Sequence, residues 1–241
     1  MLIYDIHCHI LPGVDDGARD EDSTERMMRI AADQGIKGIV ATPHYATDMS
    51  EEHMQDIEEK YDKAYSLWKA ISPEGEIYLG NELFWSEGLV QNLQEGKAFT
   101  MNATSYVLIE FQTYIDFRSM CRAVQTLVYA GYIPILAHIE RYECLRKKEH
   151  VRELTEMGAF IQVNVSAVLG KHGLKTKMFV VELIKDSLVH FIGTDSHNSR
   201  DRSPEMEKCR FYLDKKFGVA TRRQILEKNP ARMLRGERLN E

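Results

Sequence analysis

Near its N-terminus the sequence reads Leu2-Ile3-Tyr4-Asp5-Ile6-His7-Cys8-His9, an apolar run that passes directly into two histidines. A continuous apolar run of this length is typical of a strand that is buried on both faces. Residues two apart on a strand face the same side, so His7 and His9 should point together while Cys8 points away. The stretch therefore predicts a buried strand whose carboxyl end carries two imidazoles.

The same kind of run recurs along the chain and alternates with longer amphipathic segments. Seven runs predict strands, at residues 2–6, 38–42, 76–79, 106–111, 133–137, 160–165 and 189–194. The remaining segments predict helices, at residues 22–34, 51–70, 86–93, 117–129, 150–157, 175–185 and 205–215. This alternation predicts an α/β fold with parallel strands and crossover helices, and both an open doubly wound sheet and a closed barrel fit it. Because no stretch resembles an interdomain linker, we expect residues 1–241 to form a single domain.

Composition excludes several classes of protein. The 241 residues include 31 Lys and Arg against 37 Asp and Glu, a formal net charge of −6, so we expect no nucleic-acid partner. No apolar run reaches the ~20 residues that span a bilayer, and the first residues do not resemble a signal peptide, so we expect no membrane insertion. The four cysteines form no Cys-x-x-Cys pair, which disfavours a disulfide framework or a zinc knuckle. These features predict a cytoplasmic protein.

Six of the seven predicted strands are followed by a histidine or a carboxylate at the same, carboxyl-terminal end. The candidate metal ligands are His7, His9, Asp16, His44, Glu82, Glu110, His138, Asp195 and His197. Taken singly, each has an ordinary structural explanation, such as a core histidine or a solvated residue at the end of a sheet. Taken together they indicate a site, because the carboxyl ends of parallel strands in a barrel converge on one mouth, where active sites are built.

So many ionisable groups in one mouth indicate bound cations, since a buried charge without a partner is costly. The predicted ligands are nitrogen and oxygen atoms without thiolate, which favours manganese, iron or zinc over calcium. Nine potential ligands exceed what one ion needs, so two or three ions are expected. Two ions ~3.5–4 Å apart would form a clamp on the attacking and leaving oxygens in phosphoryl transfer.

A cysteine nucleophile is not supported by the spacing of basic residues. Tyrosine phosphatases that use cysteine resemble one another in an arginine placed six positions after the nucleophile. The residues six positions after the four cysteines are Val14, Leu127, His150 and Lys215. There is also no Gly-x-Ser-x-Gly elbow, no Walker-type loop and no Gly-x-Gly-x-x-Gly fingerprint. We therefore interpret Cys8 as a small apolar filler.

The ordered set of candidate ligands resembles the PHP (polymerase and histidinol phosphatase) family of metal-dependent phosphoesterases, over residues 7 to 202. Within that family, four segments resemble the manganese-dependent bacterial protein-tyrosine phosphatases of capsule and exopolysaccharide loci. These segments are residues 5–10, 14–17, 137–142 and 195–198. Histidinol phosphatases usually carry His-Gly where this chain has Asp16-Gly17. Two positions depart from the usual pattern: Cys8 stands where Ser or Thr is common, and Thr194 stands where Ser often precedes the Asp. Neither residue is a proposed ligand.

The resemblance implies a distorted (β/α)7 TIM-like barrel, the PHP fold, with a trinuclear metal site. It implies hydrolysis of phosphotyrosine on a protein by water that the ions activate, with Mn²⁺ as the expected metal and Fe, Zn, Co or Mg as substitutes. Arg141 and Arg202 are the candidate phosphate-binding residues, since a guanidinium offers a planar fork of donors. The implied partner is a bacterial tyrosine autokinase that regulates polysaccharide export.

Two other functions remain open at this point. One is a PHP-type phosphatase or phosphodiesterase that acts on small molecules or nucleotides, such as histidinol phosphate. The other is a non-catalytic metal-binding or scaffolding module, which the complete ligand set disfavours. No general acid is assigned, because phenol has a pKa of ~10 and needs less proton donation than an aliphatic leaving group.

Overall fold

The computed structural model describes residues 3–239, and within that range parallel strands alternate with helices. The strands are β1 (Ile3–Cys8), β2 (Ile36–Ala41), β3 (His44–Tyr45), β4 (Glu76–Leu79), β5 (Glu82–Phe84), β6 (Tyr106–Glu110), β7 (Ile133–Leu136), β8 (Phe160–Asn164) and β9 (Phe191–Gly193). All seven predicted strands are present within a few residues. The first predicted strand included Leu2, which lies outside the described residues, as do residues 1, 240 and 241 of the predicted domain. The assignment of residues 1–241 to a single domain stays a prediction.

The nine strands occupy seven positions in a barrel, because two of the positions are each divided into two short strands. The hydrogen-bonded orders are β1-β2-β4 and β3-β5-β6-β7-β8-β9, and every pair is parallel. β2 continues into β3 and β4 into β5, and the two split strands stay joined by the bond from the Glu82 N–H to the Pro43 carbonyl, 3.1 Å. Closure is made between the first and last strands, where the Asp195 N–H donates to the His7 carbonyl at 2.8 Å. The predicted barrel is confirmed and the open sheet does not fit this closure.

Helices cover the outside of the barrel. They are α1 (Glu21–Asp33), α2 (Glu51–Ile71), α3 (Leu89–Gln94), α4 (Phe117–Tyr129), α5 (Lys148–Glu156), α6 (Val165–Leu169), α7 (Leu174–Lys185), α8 (Glu207–Phe217), α9 (Val219–Arg223) and α10 (Asn229–Leu234). The side chains of Asp20, Ser50 and Asp116 cap α1, α2 and α4 by accepting a hydrogen bond from a backbone N–H of the first turn. All seven predicted helices are present within three residues at either end, whereas α6, α9 and α10 were not predicted.

Two apolar clusters hold the layers together. The larger one packs the outward side chains of the strands, such as Ile39 and Ile109, against the helices. The smaller one fills the barrel interior with side chains from facing strands, such as Val40 and Ile135, and Met233 of α10 packs on it. The polar mouth described next lies at the carboxyl ends of the same strands. Across the described residues, no helix has both the length and the apolar character needed to cross a bilayer.

Candidate metal centre

All nine side chains predicted as metal ligands lie at the carboxyl-terminal mouth of the barrel, where most of them are buried. His7 belongs to β1, His44 and Glu82 are the first residues of β3 and β5, and Glu110 is the last residue of β6. His138 and Asp195 each follow their strands, β7 and β9, by two residues. The prediction that these side chains converge is therefore confirmed by the geometry, while their role as ligands stays a prediction.

Short distances between donor atoms centre on Glu82 and the first two histidines. The Nε2 atoms of His7 and His9 lie 3.3 Å apart, and each is 3.2 Å from Glu82 Oε2. The other carboxylate oxygen of Glu82 lies 2.8 Å from His138 Nε2. His44 Nδ1 is 3.1 Å from Glu82 Oε2, the oxygen that His7 and His9 also contact. Glu82 thus lies at the centre of the cluster.

The donors form three overlapping groups, within each of which the donor atoms lie within 4.8 Å of one another. The groups are His9, Asp16, His44 and His197; His7, His9 and Asp195; and His44, Glu82 and Glu110. His9 and His44 belong to two groups each, as expected of neighbouring cation sites that share ligands. The mixed nitrogen and oxygen chemistry of these donors fits transition-metal ions such as Mn²⁺, Fe²⁺ or Zn²⁺.

Ion pairs inside the cluster shift several pKa values. Burial disfavours a charged His9, but the hydrogen bonds with Asp15 and Glu82 outweigh it and raise the pKa of His9 to about 10. Burial likewise opposes the charge on His138, and its contacts with Glu110 and Glu82 raise its pKa to about 9. Despite its burial, the pKa of Glu82 lies well below its usual range because of the surrounding imidazoles. Protons on these histidines therefore compete with cations for the same donor atoms.

A carboxylate that sequence reasoning did not select orients one of the histidines. Asp15 Oδ2 lies 2.7 Å from His9 Nδ1, which leaves His9 Nε2 facing the other donors. The backbone N–H groups of Gly17 and His44 also donate to Asp15, at 2.9 and 3.1 Å. Because this contact fixes which ring nitrogen is free, Asp15 acts as a positioning residue. In the sequence, the position of Asp15 next to the predicted ligand Asp16 is the feature that could have indicated this role.

β8 supplies none of the nine predicted ligands, but its two polar residues hold ligands from other strands. Gln162 Oε1 accepts from the His138 N–H at 2.6 Å and lies 3.3 Å from His7 Nδ1. Its Nε2 donates to Asn164 Oδ1 at 2.9 Å, and Asn164 Nδ2 donates to Asp195 Oδ2 at 2.8 Å. These residues were missed, although two polar residues two apart in an apolar strand signal a shared polar face.

Arg141 and Arg202 both lie beside the cluster, on opposite oxygens of one carboxylate. Arg141 Nη2 is 2.5 Å from Asp195 Oδ2, and Arg202 Nη2 is 2.9 Å from Asp195 Oδ1. The three residues line a cavity of about 440 Å³ that opens beside the metal donors. Both arginines therefore contact a proposed ligand, a link that the sequence did not indicate. A guanidinium at this position can bind an oxyanion that enters the cavity.

Cys8, His150 and His190, which lie outside the predicted ligand set, take ordinary structural roles. The Cys8 thiol is buried, lies 3.5 Å from the Val40 carbonyl and has its pKa raised by burial, which is unfavourable for a thiolate nucleophile. His150 stacks on Phe117 with ring centres 3.9 Å apart. His190 accepts a hydrogen bond from the Ile161 N–H at 3.1 Å.

Imidazole and carboxylate donors gathered at the mouth of a parallel α/β barrel define a metal-dependent barrel hydrolase as the class of this protein. The chain belongs to the CpsB/CapC family of capsular polysaccharide synthesis, whose family model matches residues 3–235. Together with the relatives described next, this match confirms the resemblance to bacterial tyrosine phosphatases of capsule loci.

Individual relatives match over nearly the whole chain. The tyrosine-protein phosphatase YwqE of Bacillus subtilis (strain 168) is 33% identical over 224 residues, covering 90% of this chain and 85% of that protein. The tyrosine-protein phosphatase CpsB of Streptococcus pneumoniae is 28% identical over 243 residues, covering 96% and 98%. A chain from the crystal structures of YwqE and CpsB, described as unique metal-dependent tyrosine phosphatases, has a TM-score of 0.84 at 30% identity, covering 98% and 95%.

Proposed function

We propose that this chain is a metal-dependent protein-tyrosine phosphatase. The observation that carries the proposal is the meeting of nine imidazole and carboxylate side chains with two guanidinium groups at one barrel mouth. The relatives named as tyrosine-protein phosphatases support the same activity and cover most of both chains. Phosphoryl transfer needs cationic groups around the equatorial oxygens of phosphorus, and this mouth supplies them.

We propose Mn²⁺ as the metal, with two or three ions held by the three donor groups. His7, His9 and Asp195 would form one site, His44, Glu82 and Glu110 a second, and the Asp16 side of the mouth a third. His138, 3.3 Å from Glu110 Oε1, would complete the second site. When bound, such ions lower the pKa of coordinated water and neutralise charge on phosphate oxygens.

The protein's own residues would bind and orient the phosphate. Arg141 and Arg202 would each donate N–H groups to phosphate oxygens in the cavity that they line with Asp195. Asp195 holds both guanidinium groups in place through its two oxygens, and Asn164 fixes Asp195. Because a tyrosine leaving group has a pKa of ~10, its departure requires little protonation, and we assign no general acid.

We propose a bacterial tyrosine autokinase that regulates capsule or exopolysaccharide synthesis as the physiological phosphoprotein. The family's place in capsular polysaccharide synthesis supports this choice, since the phosphotyrosine would then belong to the same system. The proposal makes the substrate a phosphotyrosine within a peptide segment, which must reach the mouth without obstruction.

The test compares three substrates after removal of metal and reloading with Mn²⁺, Fe²⁺, Zn²⁺, Co²⁺ or Mg²⁺. A phosphotyrosine peptide should be hydrolysed with kcat/KM far above that for histidinol phosphate or a nucleotide phosphodiester, and Mn²⁺ should restore the most activity. Elemental analysis of each sample gives the metal content. Preference for histidinol phosphate or the phosphodiester would establish the small-molecule alternative. Bound metal without turnover of any substrate would indicate a non-catalytic module. Full activity in a sample free of metal would overturn the proposal.

A further inference from the structure

A second cavity borders the metal centre. It has a volume of about 440 Å³, and two of the proposed ligands, Asp16 and His197, form part of its wall. Three arginines also line it: Arg19 in the loop after β1, Arg26 on α1, and Arg200 in the loop after β9. None of these arginines was selected from the sequence. The cavity therefore joins a concentration of positive charge to the donors of the metal centre.

Within the described residues, none of the three guanidinium groups forms an ion pair with a carboxylate, although Arg19 and Arg26 lie near enough to Asp20 to help lower its pKa. Within residues 3–239, no carboxylate oxygen lies within 4.0 Å of any of them, and Arg26 donates only to the Ser23 hydroxyl at 3.0 Å. By contrast Arg29, on the same helix but outside the cavity, pairs with Glu25 at 2.6 Å. Asp201 is the one carboxylate besides Asp16 among the residues that line the cavity. The lining therefore holds three arginines against two carboxylates, and an anion entering the cavity would meet guanidinium groups that are not engaged in ion pairs.

The two cavities lie on either side of one loop, residues 198–202. Asp201 lines both of them, and each also has a proposed metal ligand in its wall. A peptide whose phosphotyrosine occupies the Arg141 and Arg202 cavity can therefore reach across this loop. An extended chain advances ~3.3 Å per residue. Because the two cavities share Asp201, we expect the group that enters the second cavity to lie within a few residues of the phosphotyrosine.

We propose that this arginine-lined cavity binds a second anionic group of the same substrate, either a carboxylate or a second phosphate that flanks the phosphotyrosine. The proposal rests on the proposed phosphatase function and specifies its substrate as a phosphotyrosine segment with negative charge nearby. Each arginine is exposed, so its contribution is that of a solvent-screened ion pair and decreases with salt. The contacts lie away from the reacting phosphorus, so they should affect KM rather than kcat.

The experiment compares three phosphotyrosine peptides of equal length, with neutral flanks, with one glutamate, or with a second phosphotyrosine. The extra group is moved over about four positions on each side, and para-nitrophenyl phosphate serves as the substrate without flanks. The protein is loaded with Mn²⁺ and assayed at low and high ionic strength. Binding of the same peptides is measured by fluorescence anisotropy, which does not depend on turnover.

Arg26→Gln and Arg200→Gln should each raise KM for the anionic peptides about two- to fivefold, with para-nitrophenyl phosphate unaffected. Arg29→Gln is the matched control and should leave every substrate unchanged. The peptide that responds identifies the carboxylate or the phosphate as the ligand. Equal kcat/KM for neutral and anionic peptides would overturn the inference, as would an equal loss on para-nitrophenyl phosphate. Anionic peptides that bind more tightly but are not hydrolysed would refute the phosphatase function and leave the anion site standing.

Discussion

Replacing Gln162 by methionine should weaken metal binding, because this amide holds donors from two other strands. Gln162 is fully buried and makes three polar contacts, to the His138 N–H, His7 Nδ1 and Asn164 Oδ1, at 2.6, 3.3 and 2.9 Å. Methionine has a similar length but lacks the amide, so the packing volume is kept while all three contacts are lost. The substitution therefore tests positioning separately from cavity formation.

The expected magnitude follows from the groups left without a partner. A buried donor or acceptor that loses its partner costs ~1–3 kcal/mol, so three such groups should lower the free energy of unfolding by about 3–5 kcal/mol after partial relaxation. Loss of a group that orients a metal-binding histidine reduces metal affinity ~10–100-fold. Excess Mn²⁺ should recover part of the lost stability, because an ion that binds only the folded state stabilises it.

The assay measures two quantities on the same samples. Urea unfolding of the metal-free protein gives stability, and competition with a chelating indicator gives Mn²⁺ affinity. Asn229→Leu is the matched control: Asn229 is also a buried amide, donates to the His190 carbonyl at 2.8 Å, and contacts no proposed ligand. It should lose stability and retain Mn²⁺ affinity. Wild-type Mn²⁺ affinity in Gln162→Met, or equal loss of affinity in Asn229→Leu, would refute the positioning role.

Three single substitutions test the phosphate contact, the cysteine and the pH dependence of stability. Arg141→Ala should lower kcat/KM for a phosphotyrosine peptide about tenfold or more, as expected for a charge-assisted hydrogen bond of ~1.5–3 kcal/mol. Because Arg141 also contacts Asp195, metal content is measured in parallel, and an unchanged kcat/KM would remove Arg141 from the phosphate site. Cys8→Ser should keep most of the activity, and loss of turnover at normal metal content would contradict a metal-based reaction. Burial lowers the pKa of His190 from 6.5 to about 4, so the unfolded chain gains a proton first and stability is lost as the pH falls from about 6.5 to about 4. His190→Asn keeps an acceptor for the Ile161 N–H and should remove about 3 kcal/mol of this pH dependence, as measured by urea unfolding at each pH; an unchanged slope would contradict the assignment.

The barrel could be predicted from sequence because its signals are local. Each buried strand is a continuous apolar run, and Gly35 and Gly131, at φ of 80° and 90°, lie just after the preceding helices in the left-handed conformation that commonly ends a helix. The splitting of two strands was not predictable, since β2 and β3 pair with different neighbours. Pro43, which lacks an N–H, lies at the first break. The short helix Val165–Leu169 was missed because its residues continue the apolar run of β8.

The candidate ligands were also predictable from local signals, since each is adjacent to the end of a recognisable strand. The residues that hold them gave weaker local signals, and the contacts that they make were not predictable. Gln162 contacts His7, 155 positions away in the chain, and Arg141 contacts Asp195, 54 positions away. Such contacts depend on the order in which strands close the barrel, which a single sequence does not display. The sequence therefore predicted the donors of the site and its two arginines, but not the contacts that hold the donors in position.

The conformations of His138 and Asp195 show why those supports matter. Both residues have left-handed backbones, with φ of 33° and 53°, which cost a non-glycine residue ~1–2 kcal/mol. In each case a backbone hydrogen bond to another strand holds the residue: His138 N–H to Gln162 at 2.6 Å, and Asp195 N–H to the His7 carbonyl at 2.8 Å. The turn directs each side chain into the mouth immediately after its strand ends. The position of these donors is thus set by neighbouring strands of the barrel. A substitution of a supporting residue such as Gln162 can therefore move the donors apart even though no donor residue is itself replaced.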